Sequence, residues 1–182
     1  SVVASRKDAM LKKRQMFYFP EEEGAQQMIY PGRLAQARVI AVAPKAVRLE
    51  VFGVEVSVRA RDMAWEWMID ASEKFQIGDL VLVTVHEIHG DSPEDLAVSV
   101  DAKSATANVN KDNLKKCHKQ GKYVGTITDV YKGTYFIRLD IGVNAVAHSC
   151  NMPALPAKKD KIGFVVTRIN DNYEVAEGII TR

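Results

Sequence analysis

Two short strings hold residue types that could bind a metal, Cys117–His118 and His148–Ser149–Cys150. Thiolate and imidazole are zinc ligands, but zinc sites space them so that four converge on one ion. Ligands that are adjacent in sequence rarely both reach one ion, so no metal site is expected. "GKYVGT" at 121–126 lacks the earlier glycine and the four-residue spacing of a phosphate-cradling Walker loop. No nucleophile elbow, HExxH helix or glycosidase-like carboxylate pair is present. Glu21, Glu22 and Glu23 have no histidine or fourth carboxylate beside them, so a metal or acid–base role is not expected. The chain is therefore not expected to be an enzyme or to need a cofactor. What remains is a set of aromatic and basic side chains, and their use depends on the elements that present them.

Those elements are mostly strands. In "EVSVRAR", Val56 and Val58 fall on one face and Glu55, Ser57, Arg59 and Arg61 on the other. In "VRLEV", Val47, Leu49 and Val51 point one way, and Arg48 and Glu50 the other. Period-two writing marks strands with one buried and one wet face. "GDLVLVTVHEIHG" and "LAVSVDA" continue the series after "DMAWEWMIDASEKF", which reads as a short helix or turn. Five short strands with a helical plug before the fourth suit a small closed barrel, because closure removes exposed edges. Trp65 and Trp67 lie in the plug. Either they close the barrel end, or one of them is an exposed anchor for a partner.

"SRKDAMLKKRQMFYF" reads as an N-terminal helix capped by Ser5, with Asp8 three residues on and Pro20 compatible with its end. Its basic face could touch phosphate, though such faces are more often simply solvated. "KSATANVNKDNLKKCHKQGK" is polar and basic and reads as a linker with one helical turn at "DNLKKCH". The strand pattern restarts at Tyr123. The expected organisation is a helix and loop over 1–32, a first barrel over 33–103, a basic linker over 104–122 and a shorter second barrel over 123–182.

Hydrophobic residues make up 47% and charged residues 26% of the 182 residues, as in soluble globular chains. No apolar run approaches the roughly 18–20 residues that span a bilayer. "SVVASRKDAMLKKRQMF" lacks the apolar centre of a secretion signal. Two cysteines make no disulfide framework. A reduced, cytoplasmic protein is expected. The net charge of +2 conceals an asymmetry, −4 over 33–103 against +5 over 104–182. A polyanion would favour the C-terminal half, although charge of this size can also serve solubility alone.

The strand series is written twice. Ala37 answers to Gly125, Val39 to Ile127, Val42 to Val130 and Leu49 to Ile137. With one residue inserted, Gly53 answers to Gly142, Arg59 to His148 and Met63 to Met152. "GDLVLVTVHEI" answers to "KDKIGFVVTRI", with Asp79 against Asp160, Val85 against Val166 and Ile88 against Ile169. Internal repetition implies two copies of one barrel rather than one large sheet.

These residues resemble the S-one domain, the OB-fold RNA-binding module named after the ribosomal protein in which it is repeated. The first copy matches through "ARVIAV", "AVRLEV", "FGVEVSVRARDMAW", "KFQIGDLVLVTVHEI" and "LAVSVDAK". The second matches through "GTITDV", "TYFIRL", "GVNAVAHSC", "KDKIGFVVTRIND" and "GIITR". The resemblance covers roughly three quarters of the chain, and "FQIGDLVLVTV" is its most specific piece. It implies a mainly β protein of two five-stranded OB barrels in tandem, binding single-stranded RNA. It also implies an outward aromatic on the second strand that stacks on a base, with an outward histidine on the third strand beside it. Counting back six from Gly142 puts Phe136 at the aromatic position, and His148 stands at the histidine position. In the first copy Arg48 replaces the aromatic and Arg59 the histidine. The usual glycine after the glutamate is Val56, and "GDSPEDLAV" brings acids where a basic residue belongs. The stacking platform thus survives only in the second copy.

A single strand is held by stacking, worth about 1–3 kcal/mol per base, and by salt-dependent phosphate contacts. In the second barrel Phe136, Tyr131 and Tyr173 are candidate platforms, with Lys132, Arg138 and Arg168 as candidate phosphate or base-edge contacts. A register slipped by one would bury Phe136 and make Tyr135 the platform. His148 is a contact or a plain surface residue. In the first barrel Arg48, Arg59 and Arg61 form a basic stripe that could hold a strand or pair with Glu50 and Glu55. The expected function is non-catalytic binding of single-stranded RNA, chiefly by the second barrel, with single-stranded DNA as a further ligand. The alternative is an interaction subunit whose barrels dock onto a larger protein or ribonucleoprotein assembly. No membrane partner is expected.

Overall fold

The computed structural model describes residues 5–21, 24 and 26–181. Of the three glutamates above, Glu22 and Glu23 lie outside the described residues. The chain divides into two compact units: 1–64 with 70–107, and 65–69 with 108–182. Each contains a five-stranded barrel, the second closed and the first nearly so.

In unit 1, helix α1 (Arg6–Tyr18) begins where the Ser5 hydroxyl accepts the Asp8 N–H. The strands are β1 (Leu34–Ala43), β2 (Ala46–Val51), β3 (Val54–Arg59), β4 (Leu80–His89) and β5 (Ala97–Asp101). They pair in the order β3-β2-β1-β4-β5, and β3 and β5 approach each other across the remaining seam. Alternation works as the sequence requires. Val47, Leu49 and Val51 are fully buried with Val39, Val83 and Val85, while Arg48 and Arg59 face out. The plug is made of two 3-10 turns, Ala60–Asp62 and Ala71–Glu73, not of an α-helix.

The basic face of α1 is largely exposed, and part of it pairs with the barrel. Lys13 pairs with Glu50 at 2.7 Å and Arg6 with Glu55 at 2.9 Å. Arg14 donates to the carbonyls of Gly53 and Pro93. Tyr18 is buried and its hydroxyl donates to the Val51 carbonyl at 2.7 Å. Gly53 permits this docking: its φ is +92°, and a Cβ there would sit 2.7 Å from the Met10 carbonyl oxygen.

Unit 2 begins its continuous part with helix α2 (Val109–Leu114). The strands are β6 (Lys122–Tyr131), β7 (Thr134–Leu139), β8 (Val143–Cys150), β9 (Lys161–Asn170) and β10 (Val175–Thr181). They close in the order β10-β8-β7-β6-β9, with β8 and β10 parallel and the other pairs antiparallel. This first-second-third-fifth-fourth circuit is the OB arrangement. Ile127, Ile137, Leu139, Phe164, Val166 and Ile180 fill its centre. The polar stretch over 104–122 contributes to this core as well, because Leu114 and Cys117 are buried in it. At Gly178 a Cβ would collide with the Val165 carbonyl, so the β9–β10 seam closes only over glycine.

The paired positions in the sequence make equivalent bonds. Val39 N–H donates to the Asp79 carbonyl at 2.8 Å, and Ile127 N–H to the Asp160 carbonyl at 2.9 Å. Gln76 N–H meets the Asp79 carboxylate, and Ala157 N–H the Asp160 carboxylate, each at 2.8 Å. Val39 pairs with Leu49 and Ile127 with Ile137, and each ladder shifts register immediately afterwards.

Candidate nucleic-acid interface

Strand β7 alternates cleanly. Tyr135, Ile137 and Leu139 point into the barrel, while Phe136 and Arg138 lie half-buried on the outer surface. The slipped register, with Tyr135 outside, is not the one adopted. On β8, Val146 pairs with Phe136 and Asn144 with Arg138. His148 is exposed one step further along, and its Nδ1 lies 3.0 Å from the Thr134 hydroxyl. Phe136 therefore sits between His148 on one side and Arg138 on the other.

The other candidates spread over the barrel. Tyr131 and Lys132 lie at the β6–β7 turn, with the Lys132 ammonium 5.3 Å from the Tyr131 ring centre. In the β6–β9 ladder Lys122 pairs with Val165 and Thr126 with Lys161. The exposed Tyr173, in the β9–β10 turn, thus falls at the opposite end from Tyr131. Arg168 pairs with Glu177 at 3.2 Å. Glu177 also accepts from Asn170 at 2.8 Å and neighbours Val146 across the β8–β10 ladder. The Asn170 bond, with the Arg168 and His148 charges, holds the Glu177 carboxyl below its usual range. An acid thus borders this face, and it engages the cation expected to be a phosphate contact.

Three features were not among the residues expected at this site. Asn144 is almost fully buried. Its oxygen accepts from Arg138 Nη1 at 2.9 Å, and its N–H donates to Asn110 Oδ1 at 2.7 Å. Asn110 in turn donates to the Glu174 carbonyl at 2.7 Å. The segment 65–69, set apart from the residues that flank it in sequence, belongs to this unit. Asn144 Nδ2 donates to the Trp65 carbonyl at 2.9 Å, Glu66 Oε1 lies 4.0 Å from Arg138 Nε, and the Trp67 ring meets Phe136 edge-on at 5.5 Å. The tryptophans were expected to close the first barrel or to anchor a partner; instead both lie in a strap on the second barrel. Burial pushes the Arg138 guanidinium below its usual value, and the Glu66 carboxylate partly offsets this.

On the corresponding face of unit 1, Arg59 Nε donates to Asp62 at 2.9 Å, and Asp62 also accepts from Lys103 at 3.0 Å. Glu50 and Glu55, expected as partners of the arginine stripe, are engaged by α1. Arg48 and Arg61 are exposed. His86, Asp101 and Ser104 also meet here. Asp101 and the Ser104 hydroxyl both face His86 Nε2, at 3.1 and 3.5 Å, and Ser104 donates to Asp101. A proton relay needs the two different ring nitrogens, so this is not a catalytic triad. Among the described residues, no three His, Cys, Asp or Glu side chains gather as metal ligands, and no helix is long and apolar enough to cross a membrane.

No family model matches the chain, and no curated protein matches it. Among solved structures it is similar to one from the a/eIF2alpha–aDim2p–rRNA complex of Pyrococcus horikoshii OT3. That match has 15% identity over 48% of this chain and 56% of that one, with a TM-score of 0.38. It is also similar to a multidomain protein with nucleic acid binding domains from Streptococcus pneumoniae TIGR4, at 11% identity over 82% and 51% of the two chains and a TM-score of 0.31. A third similarity is to Drosophila Unr, at 14% identity over 81% and 59% and a TM-score of 0.27. The chain thus spans 51% to 59% of the length of these three proteins.

Proposed function

We propose that this protein binds single-stranded RNA, without chemistry of its own, through the β7–β8 face of unit 2. In this reading its barrels are two copies of the S-one module and its setting is the reduced cytoplasm, with Cys117 and Cys150 both free thiols. The carrying observation is the outward Phe136 with Arg138 and His148 on either side. A ring so placed offers a π-face to any base, and stacking of this kind contributes about 1–3 kcal/mol. Arg138 adds a planar cation suited to phosphate or a base edge. The excess of positive charge over 104–182 favours a polyanion there. Stacking does not read the 2′-hydroxyl, so single-stranded DNA can use the same platform.

The test is fluorescence anisotropy of a labelled oligouridylate titrated with the 182-residue chain at low and moderate salt. Saturable binding that weakens with salt supports the reading. No binding at any salt overturns it. One observation favours a second role for unit 1: its outward Arg59 and its Glu50 and Glu55 are already paired internally. That face suits docking into a larger assembly better than holding a strand.

A further inference from the structure

The strap over 65–69 presents, in three consecutive residues, the groups a nucleotide would present. Trp67 sets a flat ring against Phe136, Glu66 sets an anion beside Arg138, and the Trp65 carbonyl accepts from Asn144 Nδ2. We infer that this strap occupies the nucleic-acid site of unit 2 as an internal competitor, so that a strand and the strap exclude each other. The inference rests on the reading above.

The geometry supports competition rather than a shared platform. The Trp67 ring packs against Phe136 at 5.5 Å and is inclined 68° to it, so the two do not stack in parallel and Trp67 fills part of the space beside the platform. A strand laid over Phe136 and Arg138 competes with the strap for that space. Glu66 lies 4.0 Å from Arg138, the arginine beside Phe136 on β7, and like charges keep a phosphate from joining it there. Asn144 shows that the site takes an acceptor. Its oxygen is committed to Arg138 and its backbone is fixed by Asn110, so the amide can only donate toward the strap. A keto oxygen of uracil, guanine or cytosine, or a ring nitrogen of adenine, can replace the Trp65 carbonyl as acceptor. The strap's contacts with this face include one aromatic edge, one amide bond and one long ion pair. Such a set can be displaced by a ligand that makes the same contacts and adds phosphates.

The experiment compares oligouridylate binding by the 182-residue wild-type chain, Trp67→Ala and Glu66→Gln. An edge-on aromatic pair is worth enough that losing it should tighten binding by about 2- to 12-fold for Trp67→Ala. Glu66→Gln alters an exposed side chain, so it keeps the test open if Trp67→Ala fails to fold; it too should tighten binding. Weakened or unchanged binding in the folded variants, beside a wild type that binds, overturns the competitor and leaves the RNA reading standing. If the wild type and both variants all fail to bind, the RNA reading falls and the competitor with it. A second readout uses Trp65→Phe, which keeps the carbonyl and leaves Trp67 as the single indole. A red shift of its emission on adding oligouridylate is expected as the strap lifts. Quenching without a shift would mean that Trp67 stays and stacks with the bases, and would overturn the inference.

Discussion

Asn110 Oδ1 accepts the backbone N–H of Asn144 at 2.7 Å, and both side chains are all but sealed from water. This bond joins α2 to β8, and through the Asn144 side chain it reaches Arg138 and the strap. Asn110 also donates to the Glu174 carbonyl, so one amide satisfies two backbone groups, one of them buried. Asn110→Ala would leave both unpaired. It should destabilise unit 2 by about 1–3 kcal/mol, read as a lower urea midpoint with unchanged slope. A change within error would show that water replaces the amide at no cost.

The pairing of Glu50 with Lys13 gives the docking of α1 a pH dependence. Desolvation raises the Glu50 pKa. The Lys13 and Gly53 hydrogen bonds outweigh it, and the folded value lies below the 4.5 of a free glutamate. The unfolded chain therefore binds the proton more readily. The stabilisation is present above about 4.5 and is lost as pH falls through the lower folded value. The protection factors of the α1 amides, exchange rates corrected for the intrinsic pH dependence, should fall in that acid range. Glu50→Gln should remove this acid-dependent step. If the step persists in Glu50→Gln, another carboxylate is responsible.

Much of this was legible in the sequence, and the part that was not has physical causes. Alternation at 47–51 showed which side chains face out, because a strand has only two faces; at 135–139 it left two registers, and the burial of Tyr135 decides between them. The Asp79 and Asp160 positions were visible as a repeat, since the same turn needs the same acceptor. The strap was not visible: "WEWMI" has no strand or helix period, and its hydrogen bond to Asn144 spans 79 residues of sequence. The core role of Leu114 and Cys117 was hidden by the lysines around them, because two isolated apolar residues leave no pattern. The pairing of Arg59 with Asp62 and of Glu50 with Lys13 depended on where 3-10 turns and α1 dock, which composition does not encode.

Phe136 and Ile137 are neighbours on opposite faces of β7, and substitution should separate affinity from stability. Phe136→Ala removes a half-buried outer ring. It should weaken oligouridylate binding about 5- to 150-fold, corresponding to about 1–3 kcal/mol, with little loss of thermal stability. Ile137→Ala opens the core and should cost about 2–5 kcal/mol of stability. A stable Phe136→Ala protein that binds at wild-type strength would remove the platform and leave the docking role ahead.

Glu177 and Arg168 give the last prediction. The glutamate borders the proposed face, and its ion pair with Arg168 is exposed, so in water the pair contributes little to stability. Its larger consequence is for a polyanion, because Glu177 both repels a phosphate and withholds the nearest cation of β9. Glu177→Gln keeps the shape and can still bond to Asn170, but it frees Arg168. Binding to oligouridylate should tighten, and log affinity should fall more steeply with log salt. Each phosphate newly neutralised on a single strand adds about 0.7 to that slope. Adding Arg168→Ala to Glu177→Gln should return the slope to the wild-type value. If the double variant keeps the steeper slope, Arg168 touches no phosphate and the gain came from removing the acid alone. If Glu177→Gln changes neither affinity nor slope, the strand does not cross β10, and its path is confined to β7 and β8 around Phe136.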